Sequence, residues 1–159
     1  MAEKQHYLTT EGRRKLREEL HYLINTRRHE VADQIKFAKE GGDVSENAGY
    51  DEAKNAQAFL EGRIMTIENI LKTAVIIGNE GPTDSVSVGA YVTVSEDGQG
   101  QEQYQIVGSA EANPSQGRIS NESPLGKELL GKKVGEKIDV KTPGGTRKFV
   151  IASINWTPM

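Results

Sequence analysis

Between Leu16 and Ala38 the apolar residues Leu16, Leu20, Leu23, Val31, Ile35 and Ala38 recur at steps of three, four or their multiples. Arg13, Arg14, Arg17, Arg27, Arg28 and Lys36 fall between them. That spacing gathers the apolar groups on one face of a long helix. Leu8-Thr9-Thr10-Glu11 marks its start, because a threonine hydroxyl accepts from an orphan backbone N–H and Glu11 favours the positive helix end. Gly41-Gly42 marks its end. A second run of Ala53, Ala56, Leu60, Ile64, Ile67 and Leu71, supported by Phe59 and Ile70, has the same period. The seven-residue GGDVSEN between the runs is too short for a strand and rich in turn formers, so the helices fold back antiparallel. Arms of about 30 residues would be roughly 45 Å long at 1.5 Å per residue.

After Leu71 the pattern changes to β-branched runs separated by turn residues: TAVII, VGAYVTVSE, QEQYQIVG, EKIDVKT and RKFVIASI. Gly98-Gln99-Gly100 and Pro143-Gly144-Gly145 supply the positive-φ positions of tight hairpins. Ser123-Pro124 before LGKELLG predicts a capped short helix with proline at its first position. The expected architecture is therefore α+β in two domains, with a helical hairpin over residues 1–77 and a small sheet domain with one short helix over 78–159. GNEGPTD marks the boundary.

Composition narrows the function classes. The 20 basic and 23 acidic residues leave a net charge of only −3, which gives no general attraction to nucleic acid or membrane. The absence of cysteine removes disulfides and thiol chemistry and suits a reducing compartment. No stretch approaches the roughly 20 apolar residues of a membrane span, and the start lacks an apolar signal core, so a cytoplasmic location is expected. His6, His21 and His29 lack metal-ligand spacing, and no serine or threonine has a paired base.

Local charge is more informative than the total. Glu40, Asp43, Glu46, Asp51 and Glu52 put five acids into the hairpin tip with no lysine or arginine among them. Asp43 and Glu46 are three apart and share a face if the turn is helical, so both can approach one cation. Two carboxylates with open coordination positions suit Mg²⁺, weakly if they act alone. The competing reading is that Asp43 caps the second helix and Glu46 completes a capping box.

GGDVSENAGYDEAKNAQAFLEGRI resembles the coiled-coil tip of the Gre transcript cleavage factors, and SPLGKELLGKKVGEKIDVKTPGG resembles their C-terminal domain. The likeness spans nearly the whole chain in order, including LTTEGRRKLREEL. It implies an FKBP-like C-terminal domain that docks on bacterial RNA polymerase at the mouth of its secondary channel, while the acidic tip enters. The implied activity is stimulation of cleavage of the nascent RNA 3′ end in backtracked complexes. The polymerase itself performs the reaction, with no small-molecule substrate and no membrane partner.

Carried over by position, Asp43 and Glu46 would be the catalytic acids and would share a Mg²⁺ with the polymerase, only in the complex. Ser45, Asn47 and Tyr50 would shape the tip and contact the polymerase active-site region. Gly49 stands where the family usually has glutamate, which reduces the tip charge. With 12 basic and 13 acidic residues up to Ile77 the arm is not strongly basic, which favours the GreA type over GreB. Arg13, Arg14, Arg17, Arg27, Arg28, Lys36 and Lys39 are the candidates for steering RNA. Ser123, Pro124 and Leu125 are the candidates for docking. The alternatives are a channel-binding inhibitor that does not promote cleavage, a prolyl isomerase for which Tyr91, Tyr104, Phe149 and Trp156 would have to line a pocket, and a plain spacer arm.

Overall fold

The first apolar run forms helix from Thr10 to Glu40 in the computed structural model, which describes residues 6–96 and 100–158. It follows a short strand β1 (Tyr7–Thr9) and consists of α1 (Thr10–Tyr22), a five-residue π-helical stretch (Leu23–Arg27) and α2 (Arg28–Glu40). Thr9 caps α1 as its sequence context requires, its Oγ1 accepting from the Gly12 N–H at 3.0 Å. The π stretch was not foreseen. The Arg28 N–H there reaches back five residues to the Leu23 carbonyl, and Asn25 Nδ2 donates to the His21 carbonyl at 3.0 Å. A side-chain amide from the π stretch thus bonds a carbonyl in the last turn of α1, next to where the i→i−4 ladder is interrupted.

Gly41 and Gly42, the latter at φ 130°, end α2, and a 3₁₀ turn (Val44–Glu46) leads into α3 (Ala48–Thr73). The helices run antiparallel, because the cross-helix pairs Arg28–Glu61 and Glu19–Arg63 and the Ala38–Asn47 bond step in opposite directions along the chain. Val31, Leu60 and Ile64 form the buried seam, flanked by Leu20, Leu23, Ile24, Ile35 and Ala56. Phe59, expected to support this face, is instead 84% exposed, and it is Ile70 that is buried. Helical spacing alone put Phe59 beside Leu60, but the seam is narrow enough to take only one of two adjacent residues.

The contacts divide the chain into two units, one of Arg13–Thr73 and one that combines the residues up to Gly12 with those from Ala74 on. The expected division at 77/78 differs from this because β1 pairs in parallel with β2 (Val75–Ile77), Tyr7 opposite Val75. β3 (Tyr91–Glu96), β4 (Gly100–Val107), β5 (Arg118–Ser120), β6 (Lys137–Thr142) and β7 (Gly145–Asn155) form a sheet of order β5-β4-β3-β7-β6. Its pairings are antiparallel except β4 with β5. Strands β1 and β5, three residues each, carry too little alternation to have been read from the sequence. Val92, Val94, Ile106, Ile138, Val140, Phe149, Ile151 and Ile154 fill the core, with Leu129 from α4 (Pro124–Leu129). Gly145, at φ 118°, closes the β6–β7 hairpin as expected, and Gly100, at φ 82°, opens β4. Gly98 and Gln99 lie outside the described residues.

Candidate functional site

Asp43 stands at the start of the 3₁₀ turn, where its Oδ1 accepts from the Ser45 N–H at 3.0 Å and from the Ser45 hydroxyl at 2.8 Å. Those two bonds favour the ionised form and hold its carboxyl below the usual carboxylate range. Asp43 therefore does not cap the long helix, and the capping-box alternative fails on this geometry. The cap is Asn47: its Oδ1 accepts from the Tyr50 N–H at 3.1 Å while its Nδ2 donates to the Ala38 carbonyl at 2.6 Å. One amide serves the last turn of α2 and the first turn of α3 together, as a residue with both donor and acceptor can and an aspartate cannot.

With Asn47 carrying the helix ends, the acids are left to face solvent. Asp43 and Glu46 are both exposed and line one groove of about 1020 Å³. Arg27, Gln34 and Phe37 line it from the first helix, and Gly49, Glu52 and Ala53 from α3. Gly49 contributes no side chain, and a Cβ there would meet only Asn47 Oδ1. Tyr50 is half-buried behind the turn. Among the described residues no three or more histidine, cysteine or acidic side chains come together so that they could hold a metal ion. The tip thus presents two hard oxygen donors on one groove, a set that fits part of a Mg²⁺ shell and requires the remainder from elsewhere.

The basic residues expected to steer RNA are placed unevenly. Arg27 lines the groove and pairs with Glu30 at 3.0 Å, whereas Arg28 makes a bidentate pair with Glu61 at 2.8 Å across the hairpin. Arg14 pairs with Glu18 at 2.6 Å. Arg17, Lys36 and Lys39 are exposed, Arg13 is half-buried, and none of the four lines the groove. Phe37, not singled out from the sequence, is 78% exposed in the groove, and its fit to no apolar repeat was the available signal.

In the other unit Ser123 caps α4, accepting from the Gly126 N–H at 3.0 Å and donating to the Ser120 carbonyl at 2.7 Å. Pro124 is exposed beside it, and Leu125 packs half-buried against the sheet core. A cleft of about 650 Å³ does exist in this unit, lined by Tyr91 and Trp156. Gln103, Gln105, Gln116 and Arg118 make up much of its remaining wall, while Phe149 is buried in the core, so the aromatic-lined apolar pocket of a prolyl isomerase is not assembled.

Residues 6–76 match the family described as "Transcription elongation factor, N-terminal", and residues 81–155 match "Transcription elongation factor, GreA/GreB, C-term". The chain belongs to the GreA/GreB family. It is 51% identical over 156 residues to a transcription elongation factor GreA of Clostridium perfringens, covering 97% of this chain and 99% of that one. It is 52% identical over 155 residues to the GreA of Shouchella clausii, covering 96% and 98%. Among solved structures, GreA factor homolog 1 of Thermus thermophilus is 32% identical, covering 96% of this chain and 99% of that one with a TM-score of 0.44. Both halves of the Gre chain are therefore present, in order and over almost their full length.

Proposed function

We propose that this Gre-family chain is a bacterial transcription elongation factor of the GreA type. It binds RNA polymerase, enters its secondary channel tip first and stimulates Mg²⁺-dependent cleavage of the 3′ end of backtracked nascent RNA. The observation that carries this reading is the placement of Asp43 and Glu46, both exposed, on one groove at the hairpin tip while Asn47 does the capping. Acids needed only to cap a helix would be engaged with backbone N–H groups at the start of α3. Here the long-helix caps are made by an amide.

The chain is a supplier of carboxylates to the polymerase's own reaction rather than an enzyme by itself, since two acids offer only part of a metal shell. A Mg²⁺ held between them and the polymerase would supply an activated water and charge stabilisation at the scissile phosphate. Asp43, kept ionised by Ser45, and Glu46 hold negative charge where that ion would lie. Arg27, Arg13, Arg14, Arg17, Arg28, Lys36 and Lys39 steer the displaced RNA along the arm, Arg27 from within the groove. Ser123, Pro124 and Leu125 provide docking contacts, Pro124 being the most exposed surface of the three. No helix among the described residues is long and apolar enough to cross a membrane, and we place the chain in the cytoplasm with the polymerase.

The test is RNA cleavage in purified backtracked complexes with Asp43→Asn and Glu46→Gln, which keep shape while removing charge. Each is expected to lower the cleavage rate about a hundredfold, the scale of losing one preorganised electrostatic group in an active site. Competition for polymerase against the unsubstituted chain should be nearly unchanged. Cleavage at the normal rate by both variants would remove the acids from the reaction.

A further inference from the structure

We infer that Phe37 is the stacking platform for an unpaired nucleobase of the RNA whose 3′ end the tip acids serve, an inference that rests on the cleavage reading above. Phe37 is 78% exposed, yet it is not a stray surface residue, because it lines the same groove as Asp43 and Glu46. It lies four residues before Gly41, so its Cα is about 6 Å, one helical turn, along α2 from the start of the tip. A phosphodiester placed at the acids would carry its base within about that distance.

From α3 the groove is lined by the small residues Ala48, Gly49, Ala53 and Ala56 together with Glu52, and the Phe37 side of it is open to solvent. Among the remaining lining groups Gln34 offers an amide to the hydrogen-bonding edge of a base and Arg27, which also pairs with Glu30 at 3.0 Å, offers a cation to a phosphate farther along the strand, while Glu52 stands with the tip acids. An apolar peptide side chain would meet the ring and leave the Gln34 amide without a complementary partner. An unpaired base has a π face of any sequence to offer, and aromatic stacking is the usual way proteins hold single-stranded RNA without reading it. The occupant that fits an exposed aromatic face beside an amide, on the groove that carries the tip acids, is a nucleotide of the RNA those acids serve.

The experiment uses the full-length chain and backtracked polymerase complexes whose extruded 3′ nucleotide either carries its base or is abasic. Phe37→Ala is expected to slow cleavage of the base-bearing RNA roughly tenfold, the scale of one lost base–aromatic stack, and Phe37→Trp to restore it. The unsubstituted chain should lose a similar factor on the abasic RNA, and Phe37→Ala should lose nothing further there, because the two deletions remove one interaction. Circular dichroism should match for all forms, since the ring is exposed. A proportional loss on both RNAs, as a ring seated on the polymerase would give, overturns the inference, and so does an unaffected rate on the base-bearing RNA. Asp43→Asn on the same complexes separates the two readings: full cleavage by that variant refutes the role of the acids, whereas base-independence of Phe37→Ala refutes only the platform.

Discussion

Ser45 donates twice to one oxygen of Asp43, through its N–H and through its hydroxyl, while the exposed residue lines the groove. The bonds favour the carboxylate over the acid, so the folded pKa lies below that of the unfolded chain. The stability linked to this group is present above the unfolded pKa and is lost as pH falls through the folded one. Ser45→Ala removes the hydroxyl bond and keeps the N–H, so the Asp43 pKa should rise part of the way to the ordinary carboxylate value. A carboxyl-carbon NMR titration of both forms checks this, and an unmoved titration would show that the hydroxyl bond is not made in solution. Cleavage by the variant should correspondingly decline at a higher pH than cleavage by the parent. From the sequence the DxxE spacing left two roles open for Asp43, because an aspartate three residues before a glutamate caps helices as readily as it binds cations. What separates them is where α3 begins, and the 3₁₀ turn at Val44–Glu46 moves that start to Ala48 and passes the cap to Asn47.

At the level of elements, the hairpin depends on Asn47 more than on any acid. Its amide completes two helix ends, and each half can be deleted separately. Asn47→Ala removes the partner of the Tyr50 N–H and leaves the Ala38 carbonyl with only the Gly41 N–H at 3.2 Å, and it should cost about 0.5–2 kcal/mol of local stability, the range measured for lost N-caps. Asn47→Asp keeps an acceptor for Tyr50 but sets a carboxylate against the Ala38 carbonyl, so it should retain α3 protection and fray α2. Amide exchange of Tyr50 and of Gly42 resolves the two ends, and equal protection in both variants would show that the tip is held by other contacts. The two long helices were legible because their apolar periods extend over many turns. The π stretch was not, since Leu20, Leu23 and Val31 satisfy a 3.6-residue period well enough to hide a local widening of the helix. Strand β1 was hidden likewise by its position: Thr9 is at once the last strand residue and the cap of α1, and Glu111, only 6% exposed in its side chain, accepts from both its N–H and its hydroxyl. A carboxylate 102 residues away has no local signature at Thr9.

Across the whole molecule the two units differ in how they are held. Among the described residues the unit Arg13–Thr73 buries seven apolar side chains and the other fifteen, and a fully buried aliphatic group contributes about 1.5–3 kcal/mol. The hairpin adds the exposed bidentate pairs Arg28–Glu61 and Arg63–Glu19, each worth no more than about 1 kcal/mol and weakened by salt. The sheet adds ladders in which β3 is bonded on both sides over Val92, Thr93 and Val94, all buried. Amide exchange should therefore be slowest in β3 and β7, intermediate around Val31, Leu60 and Ile64, and fastest toward Gly49–Ala53, where the seam gives way to the solvent-filled groove. Raising the salt from about 0.1 M to about 1 M shrinks the screening length from about 10 Å to about 3 Å, so α2 and α3 should exchange several-fold faster while β3 is unchanged. Mass-spectrometric exchange on the intact chain reads both units in one sample. Protection of the tip equal to that of β3, or acceleration by salt in the sheet but not the helices, would mean that the hairpin is held by something other than its single seam and its cross-helix ion pairs. On the proposed function, an end of the hairpin that opens readily would let Asp43 and Glu46 settle on a metal held by the partner, whose position the chain alone does not determine.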